Sequence, residues 1–265
     1  MSTANPSTKS KRSSSTADIQ RVVGRFAPSP TGPLHLGSLL AATASYVDAH
    51  ARDGLWRLRI DDLDTYRNDS AAERQILSAL DAHGLHWDGA VQHQSDHVDA
   101  YQAALAALSD HTFYCDCSRR SLRQLTVYPG TCREHRAPRA DCAVRIAVDD
   151  AQITFTDLIM GPQTCRLGEQ VGDFIIRRRD GLIAYQLATA VDDGSGDITH
   201  VVRGSDLLDI TARQIFLMQR LNLRPPAYAH VPTLVNPAGQ KLSKQHGAPP
   251  IESAQASDNL ALVFG

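Results

Sequence analysis

The chain has 265 residues, 42% of them hydrophobic and 21% charged, enough apolar material for the core of one large or two small domains. A formal charge of -2 and a pI near 6.6 exclude a general nucleic-acid coat protein, so any nucleic-acid contact has to come from a local basic patch. Apolar runs fall far short of the ~20 residues that cross a bilayer and the N-terminus lacks a signal-peptide core, so no membrane association and a cytoplasmic location are expected.

Residues 1–18 are Ser, Thr, Lys and Asn with almost nothing apolar, which predicts a disordered leader. A short β-rich run then ends at Phe26. The stretch Arg25 to Ser38 follows as a turn rich in Pro, Ser and Gly that opens into a helical pattern at His35 and Leu36. A helix start offers unpaired N–H groups and the positive end of its dipole, and so favours phosphate. Gly32 and Gly37 would let a ligand approach the backbone there. Asp53-Gly54 reads as the end of this helix and Leu55 to Ile60 as the next strand. Strand, helix, strand implies parallel pairing, with ligands at the carboxyl ends of the strands. The turn and the acidic run Asp61-Asp62-Leu63-Asp64 then share one edge.

Ser70 and Glu73 read as a capping box for a helix that His83-Gly84 stops, and another helix covers Val98 to Leu108. Thr112 to Cys115 predicts a strand. Short β segments at Ala143 to Val148, Ile153 to Leu158 and Phe174 to Arg178 mark a shift in composition. Residues 111–180 are accordingly expected as an insertion between two halves of a parallel fold, 19–110 and 181–265. Tyr185 to Val191 resumes the core, His200 to Arg203 is a strand, and Thr211 is expected to cap a helix. Tyr228 to Val235 is a last strand before a lysine-bearing stretch, Lys241-Leu242-Ser243-Lys244-Gln245, and Asn259 to Phe264 opens a helix.

Five cysteines argue against a disulfide framework. Cys142 and Cys165 are expected in the core. Cys115, Cys117 and Cys132 sit in one short segment with Tyr128, and three thiolates need a fourth donor to close a structural zinc site. His135 is the commoner donor type and Tyr128 the rarer one. Two basic runs, Arg119-Arg120 and Arg177-Arg178-Arg179, suit either a solvated surface or the phosphates of an RNA.

Five stretches occur in the order found in class I glutamyl-tRNA synthetases: Arg25 to Ser38, Arg59 to Asp64, Tyr185 to Ala188, His200 to Gly204, and Lys241 to Gln245. The chain also resembles that family's truncated paralogues, the glutamyl-queuosine tRNA(Asp) synthetases, because it carries the cysteine cluster and its sequence ends shortly after the lysine stretch, so that no anticodon-binding domain is expected. The resemblance implies a Rossmann-like class I catalytic domain with an inserted α/β zinc-containing subdomain. It also implies an enzyme of the ligase class that activates L-glutamate with ATP, needs no tRNA for that step, and passes the glutamyl group to queuosine in the anticodon loop of tRNA(Asp).

By the same resemblance Arg25, Ala27, Ser29, Asp61, Tyr185 and Arg203 would bind glutamate, Asp61 standing where the family usually has glutamate. Pro28, Gly37, Ser38, Lys241, Ser243 and Lys244 would bind ATP, with His35 and Lys244 as catalytic residues and Mg2+ on the leaving pyrophosphate. Cys115, Cys117, Tyr128 and Cys132 would hold one structural zinc, which turns the choice of fourth ligand from His135 to Tyr128. Full synthetases most often have a second histidine at the position of Ser38. A monomer is expected. The other readings are a truncated glutamyl-tRNA synthetase charging a tRNA 3′ end, or a non-catalytic RNA-binding paralogue.

Overall fold

The protein is described by a computed structural model over residues 21–234 and 249–264. The expected leader and the lysine stretch, with Lys241, Ser243 and Lys244, lie outside the described residues. The first unit is strand β1 (Val23–Phe26), helix α1 (Leu36–His50) and strand β2 (Leu55–Ile60), and the two strands pair in parallel as expected. Trp56, Leu58 and Ile60 alternate along β2 and are fully buried, each worth about 2 kcal/mol of transfer free energy. Arg57 and Arg59 take the other face, where the parallel register brings Arg25 beside Arg57. One face of this edge therefore carries three arginines.

The end of α1 differs from the sequence reading. Asp53, not Gly54, takes the left-handed conformation, with φ 52°. Gly54 is required for closeness instead: a Cβ there would lie 2.5 Å from the Val22 carbonyl oxygen and 2.7 Å from that of Ala49.

Helix α2 (Ser70–Ala82) is capped one residue earlier than predicted: Asp69 is the N-cap, and its carboxylate accepts from Ala71 N–H at 2.8 Å. Ser70 is inside the helix, and Glu73 reaches out to His93 rather than back to the cap. Strand β3 (Gln92–His93), helix α3 (Val98–Ala107), strand β4 (Thr112–Cys115) and the one-turn helix α4 (Arg119–Leu122) follow.

The remaining strands are β5 (Ala143–Ile146), β6 (Gln152–Asp157), β7 (Gly161–Arg166), β8 (Phe174–Arg177), β9 (His200–Gly204) and β10 (Ala227–Val231). The helices among and after them are α5 (Leu167–Gln170), α6 (Tyr185–Ser195), α7 (Leu208–Arg220) and α8 (Ala256–Phe264). Thr211 lies within α7 rather than capping it. Its hydroxyl donates to the Leu207 carbonyl one turn back.

A seven-stranded sheet runs β3-β2-β1-β9-β10-β6-β7, parallel throughout except for the β6/β7 hairpin, and a three-stranded antiparallel sheet runs β4-β5-β8. The stretch 111–180, expected as a single insertion, contributes to both sheets. The small sheet also shares its core with the large one: Val144, Ile146, Phe174 and Ile176 pack with Leu187, Val201, Phe216 and Tyr228. A separate small cluster holds Phe113, Cys115, Cys132 and Tyr128. No helix among the described residues is long and apolar enough to cross a membrane.

Candidate active site

The turn after β1 is drawn along the carboxyl edge of the sheet by two backbone bonds, Asp61 N–H to the Pro28 carbonyl at 3.0 Å and Asp69 N–H to that of Pro30 at 2.9 Å. Gly32 within it has φ 146°, a conformation that side chains disfavour. His35 is the N-cap of α1. Its Nδ1 accepts from Ser38 N–H at 3.2 Å, which leaves Nε2 as the protonated nitrogen of the neutral ring, 3.2 Å from Ser38 Oγ.

Above this turn lies a cavity of about 290 Å³. It brings together Arg25, Ala27, Pro28, Ser29, His35, Gly37, Ser38, Tyr185 and Arg203 of the predicted set. A second cavity of about 320 Å³ contains Asp61, Asp64, Gln94 and Arg178. Ser29 and Tyr185 line both, so they form the wall between the two. Leu234 lines the first cavity, Pro250 bridges to His35, and Ile251 N–H bonds the Leu34 carbonyl at 2.9 Å.

The charges beneath the cavities are buried and interlocked. Arg25 grips Asp193 of α6 with Nε at 3.1 Å and Nη2 at 2.7 Å. Arg59 donates from Nη1 to Asp193 and from Nε to Asp61, both at 2.7 Å. Burial pushes the Asp193 carboxyl up, but Arg25 and Arg59 together overcome that and hold it well below the usual carboxylate range. For Asp61 burial wins over Arg59, and its pKa is raised to about 6. Asp61 Oδ2 is buried and has no hydrogen-bond partner.

Arg203 is also buried, yet its partners are uncharged: His230 Nε2 at 3.1 Å, Thr211 Oγ1 at 2.8 Å and Gln214 Oε1 at 2.8 Å. Its Nη1 has no partner. A buried donor or acceptor left unmet costs about 1–3 kcal/mol, and Arg203 Nη1 and Asp61 Oδ2 are two such groups beside the cavities.

Sequence reasoning did not find Asp193, Arg59, Asp157, Thr211, Gln214 or His230 as parts of this site. The available signal was a run of charges in otherwise apolar strands, Arg25, Arg57 and Arg59, which requires buried acids somewhere else in the chain.

In the cysteine segment the Cys115, Cys117 and Cys132 sulfurs all lie within 4.8 Å of one another. Tyr128 Oη is 3.6 Å from Cys115 Sγ and accepts from Cys132 N–H at 2.9 Å. His135 falls in a second grouping with Asp116 and Cys132. Three soft sulfur donors and a phenol oxygen fit a zinc ion. Of the basic runs, Arg178 pairs with Asp64 at 3.0 Å and Asp180 at 2.6 Å, while Arg179 donates to the Asp116 carbonyl at 2.7 Å. Arg119 and Arg120 are exposed.

A mainly parallel sheet carries the first of the two cavities at its first strand-to-helix turn, lined by the guanidinium groups of Arg25 and Arg203. The chain belongs to the class I tRNA synthetases: the family model described as "tRNA synthetases class I (E and Q), catalytic domain" matches residues 21–262. Within it, similar proteins include several named glutamyl-Q tRNA(Asp) synthetase. Those of Pseudomonas paraeruginosa and Pseudomonas fluorescens are each 47% identical, over 89% and 88% of this chain and 81% and 80% of theirs. Among solved structures, a glutamate tRNA ligase from Elizabethkingia meningosepticum in complex with its amino acid superposes with TM-score 0.75 at 28% identity, covering 86% of this chain. The chain spans 52% of that ligase's length. An arginyl tRNA synthetase from Campylobacter jejuni, at 12% identity and TM-score 0.52, shares the fold alone.

Proposed function

We propose that the chain activates L-glutamate with ATP and passes the glutamyl group to queuosine in the anticodon loop of tRNA(Asp), with no tRNA needed for the first step. The observation that carries this reading is the pair of unmet buried groups, Asp61 Oδ2 and Arg203 Nη1, on the two sides of the Ser29/Tyr185 wall. An acceptor for an ammonium and a donor for a carboxylate suit an amino acid, and the choice of glutamate rests on the relatives and the ligase of like fold. The acceptor assignment rests on the relatives, whose names specify tRNA(Asp).

In the reaction an α-carboxylate oxygen of glutamate attacks the α-phosphorus of ATP and pyrophosphate leaves with the electrons of the broken P–O bond. The chain's residues align the two and meet the charge. Asp61 holds the α-ammonium, Arg25 and Arg203 the carboxylates, and Ser29 and Tyr185 fix the plane between them. His35 Nε2–H, the Gly37 N–H, the Ser38 hydroxyl and the lysines of the 241–244 stretch meet the phosphates, and magnesium bound with ATP would neutralise charge on the leaving pyrophosphate. Cys115, Cys117, Tyr128 and Cys132 would hold one structural zinc. The protein works as a monomer in the cytoplasm.

Glutamate-dependent exchange of pyrophosphate into ATP without tRNA tests the activation step, and its absence overturns the reading. Transfer of labelled glutamate to tRNA(Asp) containing queuosine, and none to the same tRNA lacking it, tests the acceptor. Charging of both in equal measure supports instead a truncated synthetase acting on a 3′ end, the reading that likeness to the glutamate tRNA ligase favours.

A further inference from the structure

Two arginines face the substrate cavity, and their surroundings differ in one respect. Arg25 is neutralised by the carboxylate of Asp193. Arg203, 4% exposed, has no carboxylate within ion-pairing distance among the described residues, and every partner of its guanidinium is neutral. One of those partners, His230, is neutral by arrangement. Its Nδ1 lies 2.6 Å from Asp157 Oδ2, and both side chains are fully buried. An ionised carboxylate only accepts, so Nδ1 carries the ring proton and Nε2 presents its lone pair to Arg203 Nε–H.

We propose that the Asp157–His230 pair is a positioning device that aims Arg203 and keeps its charge unspent, so that the pair, through Arg203, sets the enzyme's preference for glutamate over glutamine. Burial and the neighbouring Arg203 cation keep the His230 ring neutral against the pull of Asp157. A charged imidazole would put a second cation against the guanidinium. A carboxylate in its place would satisfy Arg203 and remove the need for an anionic substrate. A glutamine side chain offers Arg203 a neutral oxygen and restores far less. This inference rests on the glutamate-activating function proposed above and adds residues that touch no substrate.

The geometry supplies two isosteric tests. Asp157 Oδ1 accepts from three backbone N–H groups, those of Ile159 at 3.1 Å, Met160 at 2.9 Å and His230 at 3.1 Å. In Asp157→Asn these three donors hold the amide oxygen, so its NH2 must face His230 Nδ1. The ring then carries its proton on Nε2, pointing it at the Arg203 Nε–H. In Gln214→Glu the bond to Arg203 Nη2 remains but the acceptor becomes an anion.

Pyrophosphate exchange is measured for wild type and both variants with glutamate and with glutamine, alongside KM for ATP and the melting temperature. Each variant is expected to raise KM for glutamate about tenfold or more and to shrink the glutamate-to-glutamine ratio of kcat/KM by a similar factor, with KM for ATP within about twofold. Gln214→Glu, which disturbs no backbone bond, is expected to fold like wild type and keeps the test decisive if Asp157→Asn does not fold. A folded Gln214→Glu enzyme with unchanged glutamate KM and unchanged ratio overturns the inference while leaving the function intact. Wild-type protein without glutamate-dependent exchange overturns the function, and this inference with it.

Discussion

Burial holds the Asp61 carboxyl at about 6, against about 3.9 for an ordinary aspartate, and stability and binding respond to that in opposite directions. The fold favours the protonated form, so this group's contribution to stability is complete below about pH 4 and is lost as pH rises through 6. An ammonium needs the ionised form. KM for glutamate should therefore fall roughly tenfold between about pH 5 and pH 7, following ionisation of a single group. Asp61→Asn should flatten the profile at the high-KM level, and a wild-type profile that is flat would remove Asp61 from ammonium binding.

The site's two halves should also separate by mutation. Arg25→Ala leaves Asp193 with Arg59 alone, and breaking a buried pair from one side costs about 3–5 kcal/mol. It should raise the glutamate KM and lower the melting temperature together. His35→Ala should slow adenylate formation in single-turnover experiments with little change in glutamate affinity. Arg25, His35, Tyr185 and Arg203 were legible in the sequence because each sits in a local motif. Asp193 and His230 were not, since the arginines they hold lie 168 and 27 positions away and no local pattern announces the pairing.

At the scale of elements, the start of α2 turns on one residue. Asp69→Ala removes the side-chain bond to Ala71 N–H and should cost about 1 kcal/mol, a melting shift of about 2–4 °C. Ser70→Ala should leave the melting curve in place, and the reverse result would restore Ser70 as the cap. The cysteine segment makes a parallel test. The chain should purify with about one zinc, lost in Cys115→Ser and Cys132→Ser by metal analysis. Tyr128→Phe should weaken retention against a chelator more than His135→Ala, and the opposite order would make His135 the fourth ligand.

Helices α1, α2, α3 and α7 and strands β1, β2, β9 and β10 were read within a few residues because their apolar periodicity is strong, whereas the two-residue strand β3 and the helices α5 and α6 were not. Strand β7 was missed: Gly161-Pro162-Gln163-Thr164-Cys165-Arg166 lacks a β-branched run, and Pro162 is tolerated there because β7 is an edge strand. The division of 111–180 between the two sheets was equally hidden. Pairing of β6 with β10 joins residues some seventy positions apart, at Asp157 and Tyr228, through a parallel contact that no turn signal marks.

For the whole molecule, the position of β1 between β2 and β9 has a consequence in time. On the ribosome β1 and β2 are finished while β9, which begins at His200, is still unmade. At ~5–20 residues per second that interval is on the order of ten to thirty seconds. Throughout it one edge of β1 presents unpaired N–H and C=O groups. A chain of residues 21–110 alone should therefore aggregate, read by sedimentation, and soluble monomeric fragment would contradict this. In refolding of the whole protein, exchange activity should return later than helical circular dichroism, because β1, the strand that leads into the substrate turn, waits longest for its second neighbour.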